Sequence, residues 1–112
     1  MLATGLTLLV VALHLLFALA ESVGWTQMAR RMGLRGEQVE ATRALALNQG
    51  AYNAGVAVLL GWALFSGQAA TVVALLLFIV AMAVVGAASV RWTIFVAQGV
   101  PAVLALAAHG LG

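Results

Sequence analysis

The sequence has no cysteine, a single proline and only three acidic residues among its 112 positions. Without cysteine there can be no disulfides, no thiol redox chemistry and no soft thiolate metal site, and the redox compartment is left open. Charged residues make up 7% of the chain, where a soluble domain carries about a quarter. Hydrophobic residues make up 65%, and the mean hydropathy is +1.15. This composition describes an integral membrane protein, with the lipid bilayer as its first partner. The net charge of +2 comes from five Arg at helix ends against three Glu, so it is a topology signal and gives no reason to expect nucleic-acid binding. No cluster of metal ligands, no Gly-rich phosphate loop and no paired nucleophile and base can be found. A metal centre, a bound cofactor, a nucleotide and a covalent hydrolase mechanism are therefore all disfavoured.

A helix that crosses the bilayer needs about 20 mostly apolar residues. Four segments meet that requirement, at about 3–28, 43–65, 69–90 and 92–110. The expected fold class is all-α: a polytopic transmembrane four-helix bundle forming one domain over residues 1–112. Arg30, Arg31, Arg35 and Arg43 flank the first turn and Arg91 the third, whereas Ser66-Gly67-Gln68 between spans two and three carries no charge. The positive-inside rule puts both Arg-bearing turns in the cytoplasm and both termini outside, an N-out/C-out topology. So small a bundle buries little surface by itself, which points to a homo-oligomer. Trp62 reads as an interface anchor, His109 as a solvated interface residue, and the third span as scaffold.

Against this apolar background the polar residues stand out. Asn48-Gln49-Gly50-Ala51-Tyr52-Asn53 places four hydrogen-bonding side chains within six residues of span two. Hydrocarbon offers them no partner, so they must face other helices, water or a ligand. At 3.6 residues per turn they form one stripe, with Asn48 and Tyr52 on one ridge and Gln49 and Asn53 on the next. Interhelical glue is the bland explanation, and a binding site is the stronger one for so dense a cluster. In span one, Thr7, His14 and Glu21 recur every seven residues on one face, and Trp25 follows Glu21 at i+4. Glu21 is the only acidic residue inside a span, and its carboxylate must be paired, hydrated or protonated there. Trp25 reads equally as a site wall or as an interfacial aromatic. His14 is more readily a hydrogen-bonded packing residue than a base. In span four, Pro101 removes a helix donor beside Gln98, which predicts a kink with two polar groups at one level.

Counting inward from the Arg-marked boundaries at ~1.5 Å per residue puts Glu21, the stripe and Gln98 in a shared layer roughly 8–15 Å deep. His14 lies deeper by the same count, within reach of Glu21 only through water. Glu21 with Trp25, the Asn-Gln-Gly-x-Tyr-Asn block and Gln98-Gly99-Val100-Pro101 together resemble a family of small four-span bacterial integral membrane proteins of unknown function, the domain of unknown function 1304 family. The resemblance covers nearly the whole chain and departs at Met32, where an aromatic is usual. It implies that Glu21, Asn48, Gln49, Tyr52, Asn53 and Gln98 belong to one site, and that the chain sits in a bacterial inner membrane.

Three functions fit these residues. The leading one is binding or transport of a small lipophilic or cationic molecule by Glu21, Trp25, Asn48, Gln49, Tyr52, Asn53 and Gln98, with proton exchange at Glu21. In size, span count and a single first-span Glu the chain is similar to small multidrug exporters, although the motifs differ. The rival is a membrane-embedded acid/base enzyme on a lipophilic substrate (isomerase, hydratase, cyclase or epoxide hydrolase type), with Glu21 and Tyr52 catalytic and His14 the weaker candidate. The third is a structural subunit in which the polar layer is glue.

Overall fold

The computed structural model describes residues 1–111, and among them the fold is all-α with no strand. The first helix, α1, runs Leu2–Glu21 and stops earlier than the apolar run suggests. The Ser22 hydroxyl donates to the Ala18 carbonyl at 2.6 Å, and the Gly24 N–H donates to the Leu19 carbonyl at 2.9 Å. These bonds wrap the chain back on the last turn and end the helix. A short second helix, α2, follows at Trp25–Arg31. The expected first span of 3–28 is thus a membrane-length helix and a separate short one. A hydropathy scan misses the break because nothing polar enough or proline-like marks it.

Helix α3 is the longest, Glu37–Phe65, and its 29 residues span about 43 Å at 1.5 Å per residue. Its first turns, which carry Glu37, Glu40 and Arg43, extend past the apolar part of the bundle. Glu37 and Glu40 in the first turn suit the positive end of the helix dipole, so the helix starts at Glu37, as their acidity leads one to expect, ahead of the apolar segment that begins at about residue 43. Gly36, at φ 52°, lets the chain turn into it. Helix α4, Ala69–Ser89, follows the tight Ser66–Gln68 turn, where Gly67 has φ 70°. The last element opens with a π turn at Phe95–Gly99 and continues as α5, Val100–Leu111. The Val100 N–H reaches back five residues to the Phe95 carbonyl. The disturbance expected around Pro101 therefore takes the form of a widened turn just before it.

The long helices are antiparallel neighbours in a ring: α1 packs on α3 and α5, and α4 packs on α5 with its π turn and on α3. Two apolar clusters hold the ring. The main one, near the Ser66–Gln68 end, joins Val10, Leu60, Leu76, Ile79 and Ala102 from four helices. The smaller one, at the opposite end, docks Trp25 and Ala29 of α2 on Val39 and Ala46 of α3. The four long elements are not equal in apolarity. Helices α1 and α4 are each long and apolar enough to cross a membrane, and Phe95–Leu111 is a shorter apolar stretch.

Candidate functional site

Between the two clusters the seam of α3 and α4 is the loosest of the ring, and a cavity of about 620 Å³ opens there. Glu21 and His14 reach it from α1, Gln49, Tyr52 and Asn53 from α3, and Gln98 from the π turn. The opposite wall is apolar, with Phe78, Ile79, Met82 and Val85 of α4 and Ile94 before the π turn. His14, Asn53 and Ile79 are buried and form the floor. Gln49, Tyr52, Phe78, Met82 and Val85 are exposed and form the rim. The cavity is a cleft that opens sideways between two helices, and its mouth is mostly apolar.

Its polar centre is one pair, in which the Asn53 side-chain amide donates to the Glu21 carboxylate. The approach that allows this is made by Gly50, one turn earlier on α3. A Cβ at Gly50 would sit 3.0 Å from the Ala18 carbonyl oxygen and 3.3 Å from Glu21 Cβ. The two backbones touch there because glycine has no side chain to hold them apart, and Asn53 then faces the last turn of α1. No cation is near. Among the described residues the only ion pair is Arg43 with Glu40, at 2.8 Å, and Arg43 also donates to the Thr26 hydroxyl at 2.8 Å. Arg43 therefore clasps α2 to α3 outside the cleft and does not reach Glu21. Its hydrogen bond holds the Glu40 carboxyl below the ordinary value of 4.5.

His14 is fixed by two contacts. Its Nδ1–H donates to the Val10 carbonyl at 2.9 Å, and its ring meets Phe17 edge-on with centroids 5.5 Å apart. It lines the same cleft as Glu21 without bonding to it directly. Gln98 also arrives as expected, carried by the π turn.

Two of the expected site residues lie elsewhere. The Trp25 indole N–H bonds the Thr42 hydroxyl at 3.1 Å and the Val39 carbonyl at 3.3 Å, deep in the smaller apolar cluster. Glu21 ends α1, so the i+4 relation that would set Trp25 beside it does not exist. Asn48 lies on the outer side of the α3–α4 seam, in a shallower groove with Ala51, Gly55, Leu75 and Phe78. The stripe is thus split: Gln49 and Asn53 face the cleft, Asn48 faces away, and Tyr52 borders both. His109 is not free at the surface either. The Thr7 hydroxyl spends its proton on the Ala3 carbonyl, so the His109 Nε2–H donates to Thr7 at 2.8 Å and ties α5 to α1.

The structure adds what the sequence reading left out. Helix α4, read as scaffold, supplies the apolar wall, and Gly86 lets Ile94 close against it, since a Cβ there would lie 2.7 Å from Ile94 Cγ2. Gly50 was visible only as a member of the polar block. Among the described residues there is no group of side chains fit to hold a metal ion. The model of a family described as "Protein of unknown function (DUF1304)" matches residues 8–109. No curated protein and no solved structure matches the chain.

Proposed function

We propose that this chain, which belongs to the DUF1304 family of proteins of unknown function, is a four-span membrane protein that binds a small lipophilic molecule taken up sideways from the bilayer into the α3–α4 cleft. The observation that carries this reading is the Glu21 carboxylate. It meets one amide donor and no cation, and it faces a cavity whose mouth is the loose seam between two helices. No Lys or Arg lines the cleft, so its ligand is neutral or cationic and not anionic. A volume of about 620 Å³ lies within the roughly 300–1,000 Å³ of small-molecule pockets, and the apolar wall suits a lipophilic body. Beyond His14 the bundle is filled by Val10, Leu60 and Leu76, each at most 1% exposed. That packing favours a blind site over a path through the membrane.

The four spans in this reading are α1, the later part of α3, α4, and the π turn with α5. All five Arg fall between the end of α2 and the first turns of α3 or at the α4–α5 turn, one end of an antiparallel bundle, which supports a cytoplasmic placement of that end. A second copy seated on the outer face of α3 would cover the Asn48 amide, in keeping with a homo-oligomer.

An acid/base enzyme on a lipophilic substrate is the second reading, and the presence of both Glu21 and His14 on one side-opening cleft favours it. Glu21 would exchange a proton with the substrate, and the Tyr52 hydroxyl at the rim would donate to developing negative charge. Photolabelling tests the common core of both. A diazirine-bearing long-chain alcohol in lipid nanodiscs should label Tyr52, Phe78 and Met82 ahead of lipid-facing Leu8, Leu9 and Leu104, and Glu21→Gln should remove that preference. Even labelling over all exposed apolar residues would refute the site.

A further inference from the structure

We infer that the cleft has a second polar station at His14 Nε2, and that its ligand is a two-ended lipophile with a hydrogen-bond donor at each end. This rests on the reading of the cleft as a lipophile site. His14 is 3% exposed, yet it lines the cavity. Its Nδ1 lies 2.9 Å from the Val10 carbonyl, and a carbonyl can only accept, so Nδ1 carries the proton. In the neutral ring Nε2 is then a lone pair in need of a donor. It has no hydrogen-bond partner among the described residues, whereas every fully sealed side-chain nitrogen or oxygen among them has one. The unpartnered Nε2 is therefore the ring atom that opens on the cavity, and the Nδ1 bond to Val10 fixes the ring.

Glu21 is the matching station. Asn53 bonds Oε1, which leaves Oε2 free to accept. The two residues lie seven positions apart on the uninterrupted α1, so they share a face and are separated by about 10.5 Å along the axis. Between them the cleft is bounded by Val56, Ile79 and Met82, which offer nothing to a polar group. Two acceptors joined by an apolar wall select a molecule that donates at both ends and is hydrocarbon in the middle. A long-chain diol, an amino alcohol or a rigid hydroxylated polycycle has that form. A chain alcohol satisfies Glu21 only and leaves Nε2 bare in hydrocarbon, a state with a real cost.

The test uses 15N-histidine-labelled protein in lipid nanodiscs, where only His14 and His109 contribute side-chain signals. The probes are 1-octanol and 1,8-octanediol, whose extended chain sets its hydroxyls about two helical turns apart. Affinities are expressed per mole fraction in the bilayer, so that partitioning cancels. The diol should bind roughly three- to tenfold tighter than the alcohol, the value of one extra buried hydrogen bond. It should move the His14 Nε2 resonance and leave His109 unchanged, a readout that needs no variant. His14→Phe should abolish the diol's advantage over 1-octanol. Equal affinities for the two probes, a tighter diol with an unmoved His14 signal, or an advantage that survives His14→Phe each overturn the second station while the cleft stands. If neither probe binds, the lipophile site itself fails, and this inference with it.

Discussion

At the scale of single residues, the pair Glu21 and Asn53 is where burial and chemistry meet. A carboxylate with one amide donor inside a bundle is only just accommodated, because the negative end of α1 lies beside it and no cation offsets it. Removing one partner leaves the other unsatisfied, whereas replacing both removes the need. Asn53→Leu should therefore cost about 1–3 kcal/mol in the wild-type background and distinctly less in a Glu21→Leu background. Thermal unfolding of the four proteins of this cycle in one detergent measures it, and equal losses in both backgrounds would deny the coupling. Glu21→Gln keeps the shape and an acceptor for Asn53, so it should fold with nearly the wild-type midpoint while losing the lipophile labelled at Tyr52.

Among the elements, the contact of α1 with α3 depends on Gly50. Alanine there brings opposing effects of similar size: about 1 kcal/mol of helix propensity gained, against a Cβ 3.0 Å from the Ala18 carbonyl oxygen. Gly50→Ala should be close to neutral in stability and weaken the Asn53 to Glu21 bond. Gly50→Leu cannot be absorbed, because the obstruction is backbone, and should cost about 1–3 kcal/mol or more. A wild-type thermal midpoint for Gly50→Leu would mean that the two helices do not touch there. The α2 clasp is of another kind: Arg43 donates to the Thr26 hydroxyl of α2, and its exposed pair with Glu40, one turn away on the same helix, orients it. A carboxylate held below its ordinary value adds stability that is complete above that value and is lost as pH falls through the lowered one. Acidification well below 4.5 should thus loosen α2 from α3, read as lower amide-exchange protection over Trp25–Arg31 once the intrinsic slowing of exchange in acid is divided out. Glu40→Gln should show that loss of protection already at neutral pH. The effect is small and fades in salt, because the pair is in solvent.

For the whole molecule, the antiparallel ring puts Gly33 and Arg91 at one end and Gly67 at the other. Because the chain has no cysteine, single-cysteine variants read its orientation without a background. Cysteine at position 67 should be labelled by a membrane-impermeant maleimide from outside intact cells, and cysteine at position 33 only after lysis. The reverse pattern would overturn the orientation, and labelling of both from one side would overturn the four spans.

The all-α class and the site's chemical character were legible in the sequence by itself. Sixty-five per cent hydrophobic residues leave helices as the economical way to satisfy the backbone, and a lone Glu with clustered amides in such a chain must converge on something. Glu21, Gln49, Tyr52, Asn53 and Gln98 all line the cleft, with Asn53 buried against Glu21 and with Gln49 and Tyr52 exposed at the rim. Three things belonged to the tertiary structure alone. The end of α1 at Glu21 rests on local hydrogen bonds from Ser22 and Gly24, which apolarity does not register, and it is this break that removes Trp25 from the site. The outward turn of Asn48 depends on how α3 is rotated against its neighbours, and a stripe spread over two ridges does not reveal which ridge faces in. The apolar wall of α4 and the free side of the His14 ring exist only because one seam of four stays open, and periodicity within a helix carries no information about the gap between two helices.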